Sequence, residues 1–277
     1  MKHIIHISVL VLILVLFGLI IATNLSCSKT PAGKNALNRP ESVVYDRSHD
    51  RYLISNVAGK NIIAMDKNGN LTLFAGDLAG PKGLTINGDN LYVADVNSIR
   101  CFNLMTAAQT WFLALPDSKF LNDTAMDDTN HLYCSDTHDN CIYRVDVTNQ
   151  KYDIFRDGQL MSPNGLYYDA PNQRLVIVSQ RRNSPIQALY WDKQRLDRLM
   201  NTQLSDLDGI TRDLSGNYFV TSWAQKGVFK IKPDFSVEPE LLKDGFKGPA
   251  DIYYNSDRNK LILPVMMENR IETLETW

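Results

Sequence analysis

Four residues with side-chain oxygens, Glu41, Asn122, Asn164 and Asp208, each stand second in a short stretch that recurs along the chain: PESVVYD, LNDTAMD, PNGLYYD and LDGITRD. Two more stretches of the same kind, PKGLTIN and PADIYYN, put Lys82 and Ala250 in that slot. Two carboxylates and two amide carbonyls make a set for a hard cation. Calcium takes six to eight oxygen ligands of these types, whereas zinc would want His or Cys. Two carboxylates neutralise a divalent ion and leave positions open for water and a substrate. Asn164-Gly165 and Asp208-Gly209 also read as turn pairs, since Asn, Asp and Gly all tolerate positive φ. Glu41 argues against turn chemistry as the whole account, because glutamate is no turn former yet occupies the same slot after a proline.

The slot recurs at intervals of 41, 40, 42, 44 and 42 residues, close to the roughly 40–50 residues of a four-stranded propeller blade. About a dozen residues after each opening comes an apolar, β-rich run (YLIS, LYVAD, LYCSD, LVIVS, YFVTS, LILPV), then a polar loop and a third alternating run such as NIIAMD, CIYRVD or RIETLE. A fourth run follows in some repeats, as in LTLFAG, TWFLAL and YDIF. Short strands, turn-rich junctions and almost no helical periodicity predict an all-β, six-bladed β-propeller. Two β-sandwiches are the alternative, but they would make the even period an accident. The last repeat ends soon after its third strand, so either closure is incomplete or residues 30–39 supply a strand to the last blade.

The first strand of each blade lines the central channel, so equivalent positions of six first strands form a ring at one mouth. Loops after the second strands add Asp95, Asp136, Arg181, Trp223 and Met266 as substrate-facing candidates on the same face, and Lys82 and Asn122 join Arg181 and Trp223 as substrate-binding residues. Ser135, Asp136 and His138 hold the letters of a nucleophilic triad, but they crowd one hairpin without an oxyanion motif.

With these motifs the chain resembles the senescence marker protein/gluconolactonase family, with diisopropyl fluorophosphatase related in architecture. The resemblance covers roughly residues 38–277 through the repeat and the ring. It implies a six-bladed propeller with calcium, or another hard divalent cation, in the channel. It also implies metal binding by Glu41, Asn164 and Asp208, with Asn122 of the Asn122-Asp123 pair contacting metal or substrate. Two departures stand out. Phe120 occupies the place, two residues before the third-blade asparagine, where sugar-lactone hydrolases of the family carry arginine, and Lys82 has no counterpart in the implied metal set. The openings also resemble the broader NHL and strictosidine-synthase-like propellers.

Ahead of the repeats, residues 3–22 are almost wholly apolar behind the single basic residue Lys2, an export signal or an anchor. Cys27 follows where a bacterial lipoprotein carries its lipidated cysteine; Ser26 suits the position before it, while Asn24 departs from the usual aliphatic. The expectation is a signal segment over 1–27, lipidation at Cys27 in preference to an uncleaved anchor, a tether over 28–38 and one propeller domain over 39–277. Either form of the leader puts the domain outside the cytoplasm. Cys134 and Cys141 lie on neighbouring strands, where a disulfide is permitted, but buried apolar cysteines are the simpler reading. With 29 basic against 31 acidic residues and 44% hydrophobic composition, the chain has neither the charge for nucleic acid nor the composition of a disordered protein. The leading expectation is a membrane-tethered, extracytoplasmic, calcium-dependent hydrolase of a small lactone or ester, with Asp208 or Glu41 activating water. The competing one is a non-catalytic propeller that binds a small ligand or an envelope protein.

Overall fold

The second strand of every repeat is a short apolar run with no polar alternation, the pattern of a strand covered on both faces. The computed structural model describes residues 37–276 and shows what covers them. Six antiparallel sheets follow one another, each beginning at a repeat opening. Blade 1 comprises Pro40–Asp46, Arg51–Asn56, Asn61–Asp66 and Leu71–Ala75; blade 2 comprises Pro81–Asn87, Asn90–Asp95, Ser98–Asn103 and Gln109–Ala114. Blade 3 comprises Leu121–Met126, His131–Asp136, Cys141–Asp146 and Lys151–Arg156; blade 4 comprises Pro163–Asp169, Arg174–Ser179, Ile186–Tyr190 and Arg195–Met200. Blade 5 comprises Leu207–Arg212, Tyr218–Ser222, Gly227–Ile231 and Glu240–Lys243, and blade 6 has three strands, Tyr253–Asn255, Lys260–Val265 and Arg270–Glu275. The chain is a six-bladed β-propeller, as the repeat predicts.

The core is divided among the six interfaces between neighbouring blades. Leu53 and Ile62 of blade 1 meet Leu84 and Val93 of blade 2, and the same arrangement continues round to Phe219 and Val228 of blade 5 against Leu261 and Leu263 of blade 6. Burial of such side chains contributes about 1.5–3 kcal/mol each. Cys101, Cys134 and Cys141 are unpaired and buried; all three lie between blades 2 and 3, packed as small apolar groups.

Closure joins blade 6 to blade 1 by face packing, and no fourth strand joins blade 6 among the described residues. Leu37, Val43 and Ile54 pack against Ile262. The Arg39 amide donates to Asn269 Oδ1 at 2.8 Å, the Asp251 amide to Glu41 O at 3.1 Å, and Asn255 Nδ2 to the Tyr52 hydroxyl at 2.7 Å. Ion pairs Arg47–Asp257 and Arg258–Asp50 cross the same seam at its rim. The leader, Cys27 and the tether as far as residue 36 lie outside the described residues.

Candidate active site

Five of the six first strands depart from regular pairing where chemistry is wanted. In blade 1 the register with the second strand slips between Pro40 and Val43, in blade 2 between Pro81 and Leu84, in blade 4 between Pro163 and Leu166 and in blade 5 between Leu207 and Ile210. Blade 3 slips across from Cys134 and Asp136. Such a bulge leaves residues outside the ladder and re-aims their side chains. The residues released are Glu41, Lys82, Asn122, Asn164 and Asp208, each with its successor. Hydroxyls of the second strands fill the broken ladder. Ser55 Oγ accepts the Ser42 amide at 2.9 Å, Ser135 Oγ the Asp123 amide at 3.0 Å, and Thr221 Oγ1 the Gly209 amide at 2.8 Å. Ser135 also donates to Asn164 O at 2.7 Å. It is a blade-to-blade strut, which removes it from any triad.

The ring residues converge. Glu41, Asn122, Asn164 and Asp208 are all buried, with 3–8% of their surface exposed. Lys82 Nζ stands 3.7 Å from Glu41 Oε1 and 4.4 Å from the centre of the Phe120 ring, so it lies between the carboxylate and the mouth. Trp223 Nε1 donates to Asp208 Oδ2 at 2.5 Å, and the Asn164 side chain donates to Asp208 as well. Asn122 Nδ2 donates to Thr137 Oγ1 at 3.1 Å. The carbonyl oxygens Asn122 Oδ1 and Asn164 Oδ1 are buried and meet no hydrogen-bond donor among the described residues. A buried acceptor left unpaired costs about 1–3 kcal/mol, and two in one channel beside two carboxyls suit a cation.

A second pair of acids lies one residue deeper. Asp123 accepts the Leu166 and Thr124 amides, both at 2.7 Å. Asp251 accepts Ser42 Oγ at 2.6 Å and the Ile252 amide at 2.7 Å. Burial pushes the Glu41 carboxyl up to about 8; Lys82 opposes this, and the nearby Asp208 and Asp251 add to it. Burial likewise raises Asp251 to about 7 and moves Asp123 and Asp208 upward.

These shifts fix the sign of a pH effect. An acid whose folded pKa is raised stabilises the fold fully below its unfolded pKa, and that contribution disappears as pH rises through the folded value. The metal-free protein is therefore expected to lose melting temperature between about pH 5 and pH 8 through Glu41 and Asp251. A divalent cation favours the ionised ligands, so calcium should stabilise increasingly over the same range. Thermal melts at pH 5.5, 7 and 8.5 with and without calcium check this; a melting temperature that climbs with pH in the metal-free protein contradicts it.

The remaining candidates divide. Trp223 reaches the site through Asp208. Arg181 is exposed on the loop after the second strand of blade 4, and its carbonyl accepts the Asp206 amide at 2.8 Å, which places it one step outward from Asp208. Met266 is partly buried, its amide donating to Gly248 O at 2.8 Å. Asp95 and Asp136 do not face a substrate. Asp95 caps the Ala79 and Gly80 amides, and Asp136 caps those of Lys119, Phe120 and Asp139 at 2.6–3.0 Å. Both tie down the loop that enters their own blade, because a buried carboxylate is best satisfied by amides. Asp136, Asp139 and Cys141 come close enough to hold a metal, but Asp139 is already paired with Lys119 and Arg156. His138 is exposed and stacks on Phe120 at 4.4 Å, remote in role from Ser135. Sequence reasoning missed Asp251 and the depth of Asp123; both stand directly after a ring position, where a second reading of the six openings would have found them.

A family model described as the SMP-30/Gluconolactonase/LRE-like region matches residues 39–241. Among solved structures, a gluconolactonase of Xanthomonas campestris superposes with a TM-score of 0.73 at 14% identity, covering 86% of each chain. An auxiliary nutrient binding protein of Bacteroides thetaiotaomicron gives 0.68 at 10% identity, over 86% of this chain and 70% of that one. Virginiamycin B lyase of Staphylococcus aureus gives 0.68 at 14%, over 86% and 80%. At these identities the likenesses show the fold alone. A comparison with curated protein sequences finds no match.

Proposed function

Since the chain belongs to the SMP-30/gluconolactonase/LRE-like family, we propose that it is a metal-dependent hydrolase opening a small lactone or ester at the ring of Glu41, Asn122, Asn164 and Asp208. The observation that carries this is the pair of buried carbonyls, Asn122 Oδ1 and Asn164 Oδ1, that have no donor among the described residues, set beside the carboxyls of Glu41 and Asp208, whose proton affinity burial raises. That donor set fits calcium better than a softer ion. A bound calcium would supply Lewis-acid polarisation of the substrate carbonyl.

The protein's own groups supply the remainder. Trp223 and Asn164 donate to Asp208, which fixes its carboxylate as a ligand and lowers its appetite for a proton. Among the described residues the Glu41 carboxyl has the long Lys82 contact alone, so it is the freer base. It takes a proton from water as the hydroxide adds to the carbonyl carbon. As the ring C–O bond breaks, it returns that proton to the leaving oxygen, and lactone plus water becomes hydroxy acid. Phe120, in place of an arginine, gives the mouth an apolar wall and disfavours a polyhydroxylated sugar lactone.

The apolar segment 3–22 and Cys27 support an extracytoplasmic, lipid-anchored enzyme. The Lys82 ammonium beside Glu41 supports a second reading, ligand binding without turnover. A panel of γ- and δ-lactones and aryl esters separates the two: hydrolysis that is lost on chelation and restored by calcium is expected. A panel with no turnover under any metal refutes the hydrolase. Metabolic labelling with a radiolabelled fatty acid should mark the full chain and not the Cys27→Ser chain; labelling of neither refutes lipidation at Cys27.

A further inference from the structure

Lys82 is the one basic residue in the ring, and its surroundings are built on both sides. Inward, its Nζ is 3.7 Å from Glu41 Oε1, and its charge also bears on Asp208. Outward, the same atom is 4.4 Å from the centre of the Phe120 ring, which also stacks on His138 at 4.4 Å and 24° between planes. The Phe120 backbone is pinned at both ends: its amide donates to Asp136 Oδ1 at 3.0 Å and its carbonyl accepts the Thr137 amide at 3.1 Å. The aromatic face is thus a fixed perch for a cation, since the ring quadrupole attracts an ammonium placed over it. One position of the ammonium makes both contacts at once, so a lysine that gives up Glu41 keeps the Phe120 face, and its long, flexible stem allows that small withdrawal.

We propose that Lys82 is an internal counter-cation of the ring, which a divalent metal must part from Glu41 in order to bind, leaving the ammonium on the Phe120 face alone. The inference rests on the reading of Glu41, Asn122, Asn164 and Asp208 as metal ligands. In the metal-free protein the ammonium is the positive charge that stands beside Glu41 and acts on Asp208. When a divalent cation enters, the like charges repel, and the lysine gives up Glu41 and keeps Phe120. There it stands in the mouth, where the carboxylate of an opened lactone leaves. Metal and carboxylate then favour each other's binding, because each holds the lysine in the same outward position, and such coupling is reciprocal.

Calcium titration of the full chain by calorimetry tests this without reference to turnover. Lys82→Met should bind calcium about tenfold more tightly than wild type, since the competing charge is gone. Lys82→Arg keeps the charge and should show no tightening. Phe120→Leu removes the perch, leaves the lysine on Glu41, and should bind about threefold more weakly. Melting curves of the metal-free proteins establish that each variant is folded; were Lys82→Met not to fold, the opposite shift of Phe120→Leu still decides. Equal affinity in wild type, Lys82→Met and Phe120→Leu overturns the counter-cation while leaving the ring a metal site. No calcium binding in wild type or any variant overturns the metal site itself.

Discussion

Asp208→Asn is expected to leave a folded, fully assembled propeller that no longer responds to calcium. The substitution keeps the shape of the side chain and an oxygen for Trp223 Nε1. It removes one of the two formal negative charges in the proposed ligand ring, and the affinity of an oxygen site follows its charge count. Calcium affinity should fall on the order of 10²-fold or more, and hydrolysis with it. The metal-free variant should melt no lower than wild type, because Asp208 is a buried carboxyl held near another, Glu41, and its ionisation opposes folding. That combination, an undiminished metal-free melt and no calcium response, separates a lost ligand from a damaged fold. Differential scanning calorimetry with and without calcium reads both. A calcium-induced rise equal to that of wild type would remove Asp208 from the ligand set.

Gly165→Ala should be the most damaging single methyl in the channel. A Cβ at this position would lie 2.2 Å from the Asp208 carbonyl oxygen, 2.9 Å from Val178 Cγ2 and 3.0 Å from the Gly209 carbonyl carbon. The nearest of these is backbone of the adjacent blade, so relief requires blades 4 and 5 to part at their first strands. Overpacking of this kind costs about 3 kcal/mol or more, a fall of roughly 10 °C in melting temperature for a domain of this size. Because the strained carbonyl belongs to Asp208, the calcium response should weaken along with stability. Gly158→Ala is the control, since nothing lies within 4 Å of a Cβ there and its melting temperature should be unchanged. A Gly165→Ala protein as stable as that control would show that the first strands are not in close contact.

The same glycine shows where sequence reading succeeds and where it stops. Asn164-Gly165 reads as a turn, yet both residues lie inside the strand Pro163–Asp169, and the glycine is required for close approach of two strands instead of for positive φ. The period of the repeat made the blades and the ring legible, because equivalent positions in a propeller must meet at one axis. What it could not show was the bulge that turns two successive residues of the first strand inward in blades 1 to 5, or the pairing of successive inward residues that it sets up. Asp123 consequently passed as a spacer after a ring position, and Asp251, ahead of the blade 6 strand Tyr253–Asn255, passed as one because its ring position is Ala250. Asp95 and Asp136 were misread for a related reason: an acid at the end of an apolar strand looks exposed in sequence, whereas here the loop folds back and presents its amides to it. Lys82 was legible as an exception but its partner was not, since reach along a flexible stem leaves no periodic trace.

The seam between blades 6 and 1 bears on how the molecule carries load. The first described residues, Leu37 to Arg39, are held by the packing of Leu37 against Ile262, by the Arg39 amide on Asn269 Oδ1 and by Asn38 O accepting the Gly59 amide. Two residues later comes Glu41, whose carbonyl accepts the Asp251 amide across that seam. Tension applied to the chain ahead of Leu37 therefore reaches these few contacts in series, and then the strand that carries Glu41, before it is shared by any other blade. The ring and the mechanical entry point of the domain are the same piece of backbone.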